Sequence, residues 1–343
     1  MTNIEIIDPF NITEDPKMPF LLQALNPLEV QQQFEHHVHS LSSQAKQIQL
    51  QAIRTIRYKP KRRCLIEYDI TVQEIDGSKQ AITLIGKARS RGLDRRNYSL
   101  VKSFWEQNFG KNSKDDVFVP EPMGMIESWN MWFQRKVPGI IATKLLAEPG
   151  GINLARQIAR AVHKLHQAGI SSHRSHTIAD ELQILRDRIS IVAEIFPERQ
   201  KRLARILDAC DQLGASIPEV TPQGIHRDFY PDQIIVDGNR LYLLDMDLYC
   251  QGDPSLDIGN FIGHIIEQSL RTSGKISTLA DREAALKKEF LRLSSTATRT
   301  AVESYTTLTL VRHIYLSTQF PARQPFTSSL IELCEQRLDL AGC

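Results

Sequence analysis

The sequence predicts an α+β fold in two lobes. A small sheet-rich N-terminal lobe is expected over residues 1–135, and a larger, mainly helical C-terminal lobe over 136–343. Three observations lead there. Alternating and β-branched runs crowd residues 54–135. Helical periodicity takes over after Gly139. One apolar hairpin, QIIVDGNRLYLLDMD, interrupts the helical half. With 41% hydrophobic and 24% charged residues, the 343-residue chain has material for a packed core and is not a disordered one.

Taken in order, residues 20–53 are rich in Leu, Gln and Ala and read as helical. His36, His37 and His39 cluster there, but only Glu35 stands near to complete a ligand set, so the stretch reads as a solvated helix face rather than a metal site. Three strands follow: IRTIRYKP, CLIEYDITVQ and QAITLIGKAR. The first two are joined by a basic loop and the last two by the Asp76-Gly77 turn. Asp94 can cap a helix running to about Asn108, and further strands occupy VFVPEPMGMI and NMWFQRKVPG. The boundary falls at the hinge Val137-Pro138-Gly139. Beyond it, Leu154, Ile158, Ala161 and Leu165 form one helical stripe that ends before Gly169. Residues 177–213 and 255–341 also read as helices.

Charge and composition exclude several classes. With 42 Lys+Arg against 40 Asp+Glu, the net charge is +2, too little for a dedicated nucleic-acid binder. No apolar run approaches the ~20 residues of a membrane span. MTNIEIIDPFNITEDP lacks the positive start and apolar core of a signal peptide. Five scattered cysteines contain no CxxC pair and suggest neither zinc nor a disulfide framework. A soluble, reduced, cytoplasmic protein is expected.

The chemistry concentrates in GIHRDFYPDQIIVDGNRLYLLDMDLYCQGDPSLDIGNF. A hairpin brings its two ends together, so Asp228 and Gln233 before it should lie near Asp245 after it. A carboxylate, an amide oxygen and a second carboxylate form an all-oxygen set suited to Mg²⁺ with substrate phosphates. Phosphoryl transfer needs such ligands, together with a group that orients the acceptor hydroxyl.

HRDFYPDQ, LLDMD and GDPSLD resemble the catalytic and metal loops of the aminoglycoside phosphotransferase and choline kinase-like family, small-molecule kinases of protein-kinase-like fold. ITLIGKAR, VPG at 137–139 and AVHKLH extend the likeness to roughly residues 54–265. The resemblance implies that Asp228 is the catalytic aspartate, Asp245 holds Mg²⁺ and Lys87 pairs with the phosphates of ATP or GTP. Gln233 stands where the family usually has the asparagine metal ligand, one methylene shorter. Arg227 stands where the family most often has glycine. The N-lobe would cover the nucleotide, and the C-lobe would carry the catalytic and metal loops and the acceptor site. The implied activity is transfer of the γ-phosphoryl group to a hydroxyl of a small molecule. The alternatives are a catalytically weak nucleotide-binding scaffold, favoured only by Gln233, and a protein kinase, disfavoured by the missing glycine-rich loop and activation segment.

Other residues carry lesser expectations. Lys87 shares a strand face with Thr83 and Ile85. Glu106 is the sole acidic candidate to pair with it on the Asp94 helix, but lies opposite the face of Leu100, Val101, Phe104 and Trp105. The basic YKPKRRC turn either covers phosphates or is merely exposed. Asp247 is a further ligand or a loop brace. Asp253 and Asp257 read as braces, and His226, His163 and His166 as structural. Residues 271–343 hold ten Lys+Arg and seven Asp+Glu, a poor match to a polycationic acceptor; a neutral or anionic one fits at least as well.

Overall fold

The computed structural model describes residues 4–37 and 45–343. The chain divides into two compact units, Met1–Pro138 with Tyr242–Leu244, and Gly139–Leu241 with Asp245–Cys343.

The first unit runs β1 (Glu5–Ile7), α1 (Leu21–Ala24), α2 (Pro27–His37), β2 (Ala45–Lys59), β3 (Arg63–Glu74), β4 (Lys79–Arg89), α3 (Arg95–Phe104), β5 (Val117–Phe118), β6 (Pro122–Ile126) and β7 (Met131–Arg135). Its six-stranded sheet has the order β1-β2-β3-β4-β7-β6. Only β1 on β2 is parallel; the other pairs are antiparallel. The expected helix over 20–53 is corrected: residues 45–53 are the start of β2. Their pattern has period 2. Ile48, Leu50 and Ala52 are buried, whereas Gln47, Gln49 and Gln51 face solvent. Glutamine and alanine favour helix by composition, but pairing with β3 buries the alternating face and decides the matter. Of the clustered histidines, His36 is exposed, with Nδ1 2.7 Å from the Gln32 carbonyl oxygen. His39 lies outside the described residues.

The Asp76-Gly77 turn forms as expected, with Gly77 at φ +87° and the Asp76 carboxylate accepting from Ser78 N at 2.8 Å. Phe34 of α2 packs edge-on against Tyr68 of β3 and Phe133 of β7, at 5.2 and 5.4 Å. Tyr68 satisfies its buried hydroxyl by donating to the Ala24 carbonyl at 3.1 Å. Gly86 of β4 faces this core, where a Cβ would stand 2.4 Å from the Met131 sulfur. That crowding commits one face of β4 to packing and leaves the other to Thr83, Ile85 and Lys87. Asp94 caps α3 by accepting from Asn97 N at 3.1 Å, and a π-helical turn extends the element to Phe109.

The second unit runs β8 (Ile140–Ile141), α4 (Ala142–Leu145), α5 (Gly151–His166), β9 (Ser175–His176), α6 (Ile178–Ile195), α7 (Gln200–Ala215), β10 (Gln223–Ile225), β11 (Ile234–Asp237), β12 (Arg240–Leu243), β13 (Cys250–Gly252), α8 (Ser255–Ser273), α9 (Ala280–Leu293), α10 (Arg299–Gln319) and α11 (Thr327–Leu340). Leu154, Ile158, Ala161 and Leu165 are the buried stripe of α5. Pro197 separates α6 from α7, because it cannot continue a helix. A small sheet in the order β10-β13-β9 leads into the loop after β10.

Helices α8 and α10 pack at close range. A Cβ on Gly259 would stand 2.4 Å from Tyr305 Cβ, and one on Gly263 would stand 2.6 Å from Thr309 Cγ2. The two glycines therefore set how near α8 can approach. Among the described residues no helix is long and apolar enough to cross a membrane. All five cysteines are free, and all but Cys343 are buried.

Candidate functional site

The loop from His226 to Gln233 begins where β10 ends and is laid along one face of α8. Asp257, Asn260 and His264 are spaced by three and four residues, so they project from the same side of that helix. The Asp257 carboxylate accepts from His226 N at 2.8 Å and from Arg227 N at 2.7 Å. Its Oδ2 also lies 2.8 Å from Nε2 of His166, and both side chains are fully buried. Asn260 donates to the Phe229 carbonyl at 2.8 Å. His264 stacks on Tyr230, with ring centroids 4.5 Å apart and an 18° interplanar angle. Phe229 anchors the middle of the loop, fully buried against Phe261 at 5.2 Å.

This ladder holds an unfavourable backbone. Arg227 has φ +70° and Asp245 has φ +57°, a left-handed region that non-glycine residues avoid. Such conformations persist where surrounding bonds over-determine them, often at working sites. For Arg227, the two backbone bonds into Asp257 supply that constraint. Glycine at this position would relieve the strain; arginine accepts it.

A second chain of contacts reaches the loop from α6 and α10. His176 Nε2 lies 2.6 Å from Glu181 Oε1, Arg312 reaches Glu181 Oε2 at 3.5 Å, and Arg312 also donates to Asn260 Oδ1. Burial pushes the Glu181 carboxyl up, but Arg312 and His176 outweigh it and hold Glu181 below its usual value, as an anion. His264 meets His313 edge-on at 4.5 Å. Burial, with Arg312 and Arg323 nearby, holds both imidazoles low, His264 well below its ordinary value and His313 at about 3.

Asp228 is half-buried and opens on a cavity of about 480 Å³, whose walls also include Tyr230, His264 and Arg312. That volume lies within the ~300–1,000 Å³ typical of small-molecule pockets. Gln233 ends the 3-10 turn Pro231–Gln233, only 8% exposed. Its backbone N–H donates to the Tyr230 carbonyl at 2.9 Å, which closes the turn. Asp245 is half-buried at the N-cap of a second 3-10 turn, Met246–Leu248. In the first unit, Lys87 is half-buried on β4, its Nζ 4.6 Å from the centroid of Trp132. Glu106 makes its ion pair with Lys102, at 3.6 Å, and not with Lys87; both partners are exposed.

The basic turn after β2 is tight. Lys61 has φ +59°, and Asp15 accepts from Lys61 N and from the Tyr58 hydroxyl, both at 2.7 Å. Burial and this carboxylate push Tyr58 up to about 12. Lys61 and Arg62 project into solvent. The neighbouring cations Arg63, Arg57 and Arg62, with burial, draw Lys59 down. Asp253 braces the start of α8 by accepting from Ser255 N at 2.8 Å, and burial raises its carboxyl.

Asn260, His264, Arg312 and the His176–Glu181 pair escaped the sequence reading. The spacing of Asp257, Asn260 and His264 on an otherwise apolar helix was a usable signal. Nothing local marks Arg312 or Glu181, which meet the loop only through tertiary packing.

Solved structures share the fold. A choline/ethanolamine kinase family protein from Mesorhizobium loti aligns with a TM-score of 0.57 at 13% identity, over 90% of this chain and 94% of its own. A thermostable mutant of aminoglycoside phosphotransferase APH(4)-Ia, in a ternary complex with AMP-PNP and hygromycin B, gives 0.53 at 13% identity, over 86% and 94%. The amicoumacin kinase hAmiN, in complex with AMP-PNP, Ca²⁺ and Ami, gives 0.50 at 11% identity, over 82% and 90%. At these identities the likeness is one of fold, and that fold is kinase-like. No curated protein matches the sequence. The model of the phosphotransferase enzyme family (APH) matches residues 110–292, more than half of the chain and the whole of the braced loop, so the chain belongs to that family.

Proposed function

We propose that the protein transfers the γ-phosphoryl group of ATP or GTP to a hydroxyl of a small molecule. The observation that carries this reading is Asp228, held on a strained, fully braced loop and opening on a cavity of about 480 Å³. The family supports it, as do two neighbours of the same fold that hold AMP-PNP.

In this reading Asp228 orients the acceptor hydroxyl and takes its proton as the oxygen–phosphorus bond forms. The bond to the β-phosphate oxygen breaks and leaves the nucleoside diphosphate. Lys87 pairs with the nucleotide phosphates. Asp245 and Gln233 would hold Mg²⁺. Their all-oxygen donor set, a carboxylate and an amide carbonyl, suits a hard cation. When bound, Mg²⁺ neutralises charge on the transferring phosphates.

The test is nucleotide consumption with Mg²⁺ against amino sugars, sugars, choline-like alcohols and hydroxy acids, with Asp228→Ala as control. Acceptor-dependent turnover should vanish in the variant while nucleotide affinity stays within about twofold. Failure of the wild-type protein to bind either nucleotide would overturn the reading.

A further inference from the structure

The wall of the Asp228 cavity carries four arginines from separate places in the chain: Arg188 on α6, Arg271 on α8, Arg312 on α10 and Arg323 in the turn after α10. Two of them share one carboxylate. Glu267, 4% exposed, lies 3.2 Å from Arg271 and 3.9 Å from Arg323. Arg312 is already pinned by Glu181 and Asn260. Arg188 has no carboxylate partner among the described residues. Its guanidinium lies against Tyr315, with the guanidinium carbon 4.9 Å from the ring centroid and Nη1 3.4 Å from the hydroxyl. The other acidic residues of the cavity are Asp228 and Asp232, and Asp232 accepts from the Thr143 hydroxyl.

A guanidinium offers five N–H donors in a planar fork that matches carboxylate and phosphate oxygens. Most of those donors on Arg188, Arg271 and Arg323 have no acceptor among the described residues. Arg188, Arg271 and Arg323 have one buried carboxylate between them, Glu267, so this part of the wall repels a cation and favours an anion. Tyr315, Leu316 and Phe320 add an apolar surface for an organic body.

We propose that the acceptor is an anion: a hydroxylated small molecule bearing a carboxylate or a phosphate, seated on Arg188, Arg271 and Arg323 with its hydroxyl toward Asp228. This assignment rests on the phosphotransferase reading of Asp228. It departs from the choline- and aminoglycoside-directed activities named for the chain's structural neighbours, whose acceptors are cationic.

The test uses full-length protein saturated with Mg²⁺ and AMP-PNP, so that the nucleotide phosphates are already in place. Calorimetric titrations compare glucuronate and glycerate, glucose 6-phosphate and glycerol 3-phosphate, glucose and glycerol, and glucosamine and choline. Saturable binding is expected for the carboxylate or the phosphate members, and which pair binds identifies the anion. Arg188→Ala and Arg323→Ala should each weaken it at least about tenfold, the scale of one lost charge-assisted hydrogen bond. Neither should change AMP-PNP affinity. Arg188 is exposed and Arg323 partly so, which makes both variants compatible with folding. Binding only of neutral or cationic members, or of no anionic member, overturns the assignment. Turnover with ATP and the bound anion, lost in Asp228→Ala, separates the two readings. If the anion binds through Arg188 and Arg323 but is never phosphorylated, the site holds an anion and the phosphotransferase reading fails. If a cationic acceptor is phosphorylated in an Asp228-dependent way, the phosphotransferase reading stands and the anionic one fails.

Discussion

Asp257 does more for the loop than any other single side chain. It accepts two backbone N–H groups and faces His166 with no exposure to water. Asp257→Ala would leave those buried donors unpaired, at about 1–3 kcal/mol each. A total loss on the order of 4 kcal/mol is expected, measured by chemical denaturation; less than ~1 kcal/mol would mean that the loop is held elsewhere. Gln233 gives the sharper functional test. If it holds Mg²⁺ in the proposed way, Gln233→Asn keeps or raises activity, whereas Gln233→Ala raises the Mg²⁺ concentration needed for half-maximal turnover. Unchanged metal dependence in Gln233→Ala would remove Gln233 from the ligand set. Arg227 already accepts a left-handed φ, so Arg227→Gly should be nearly neutral or mildly stabilising, within about 1 kcal/mol.

At the scale of elements, α8 is the support on which the loop rests. Asp257, Asn260 and His264 point to the loop, while Gly259 and Gly263 press against α10. The helix thus couples the position of Asp228 to its packing on α10. In Gly259→Ala the added Cβ would meet Tyr305 Cβ at 2.4 Å and the Thr306 backbone nitrogen at 2.8 Å, and neither is the far end of a flexible side chain. Overpacking of this kind costs about 1–3 kcal/mol. It should also lower kcat, because α8 must move away and carry the loop with it. A variant that loses stability with kcat intact would show that the loop is independent of the helix packing.

For the whole molecule, the buried imidazoles predict how stability follows pH. His313 is 1% exposed and held at about 3, against an ordinary 6.5, by burial and by Arg312, Arg323 and Arg271. Below pH 6.5 the unfolded chain takes up a proton that the folded one refuses. Stability should therefore fall on acidification between about pH 6 and pH 3, by ~1.4 kcal/mol per pH unit for this group. His264 acts in the same direction, and so does Glu181, whose folded-state charge is lost only at lower pH. His313→Leu should make the slope shallower by about that amount in pH-dependent denaturation; an unchanged slope would mean that His313 protonates while folded. Much of the molecule was legible from local patterns. Asp94 and Asp76-Gly77 announce a cap and a turn, the stripe on α5 announces its buried face, and Asp228, Gln233 and Asp245 stand in a recognisable order. These signals survive in one dimension because caps, turns and helix faces depend on residues only a few positions apart. Residues 45–53 were misread because glutamine and alanine suit a helix, and only a partner strand reveals the alternating face. The charge of the acceptor wall was likewise invisible. Arg188, Arg271, Arg312 and Arg323 are scattered along the chain, and the packing of α6, α8 and α10 alone brings them around one cavity.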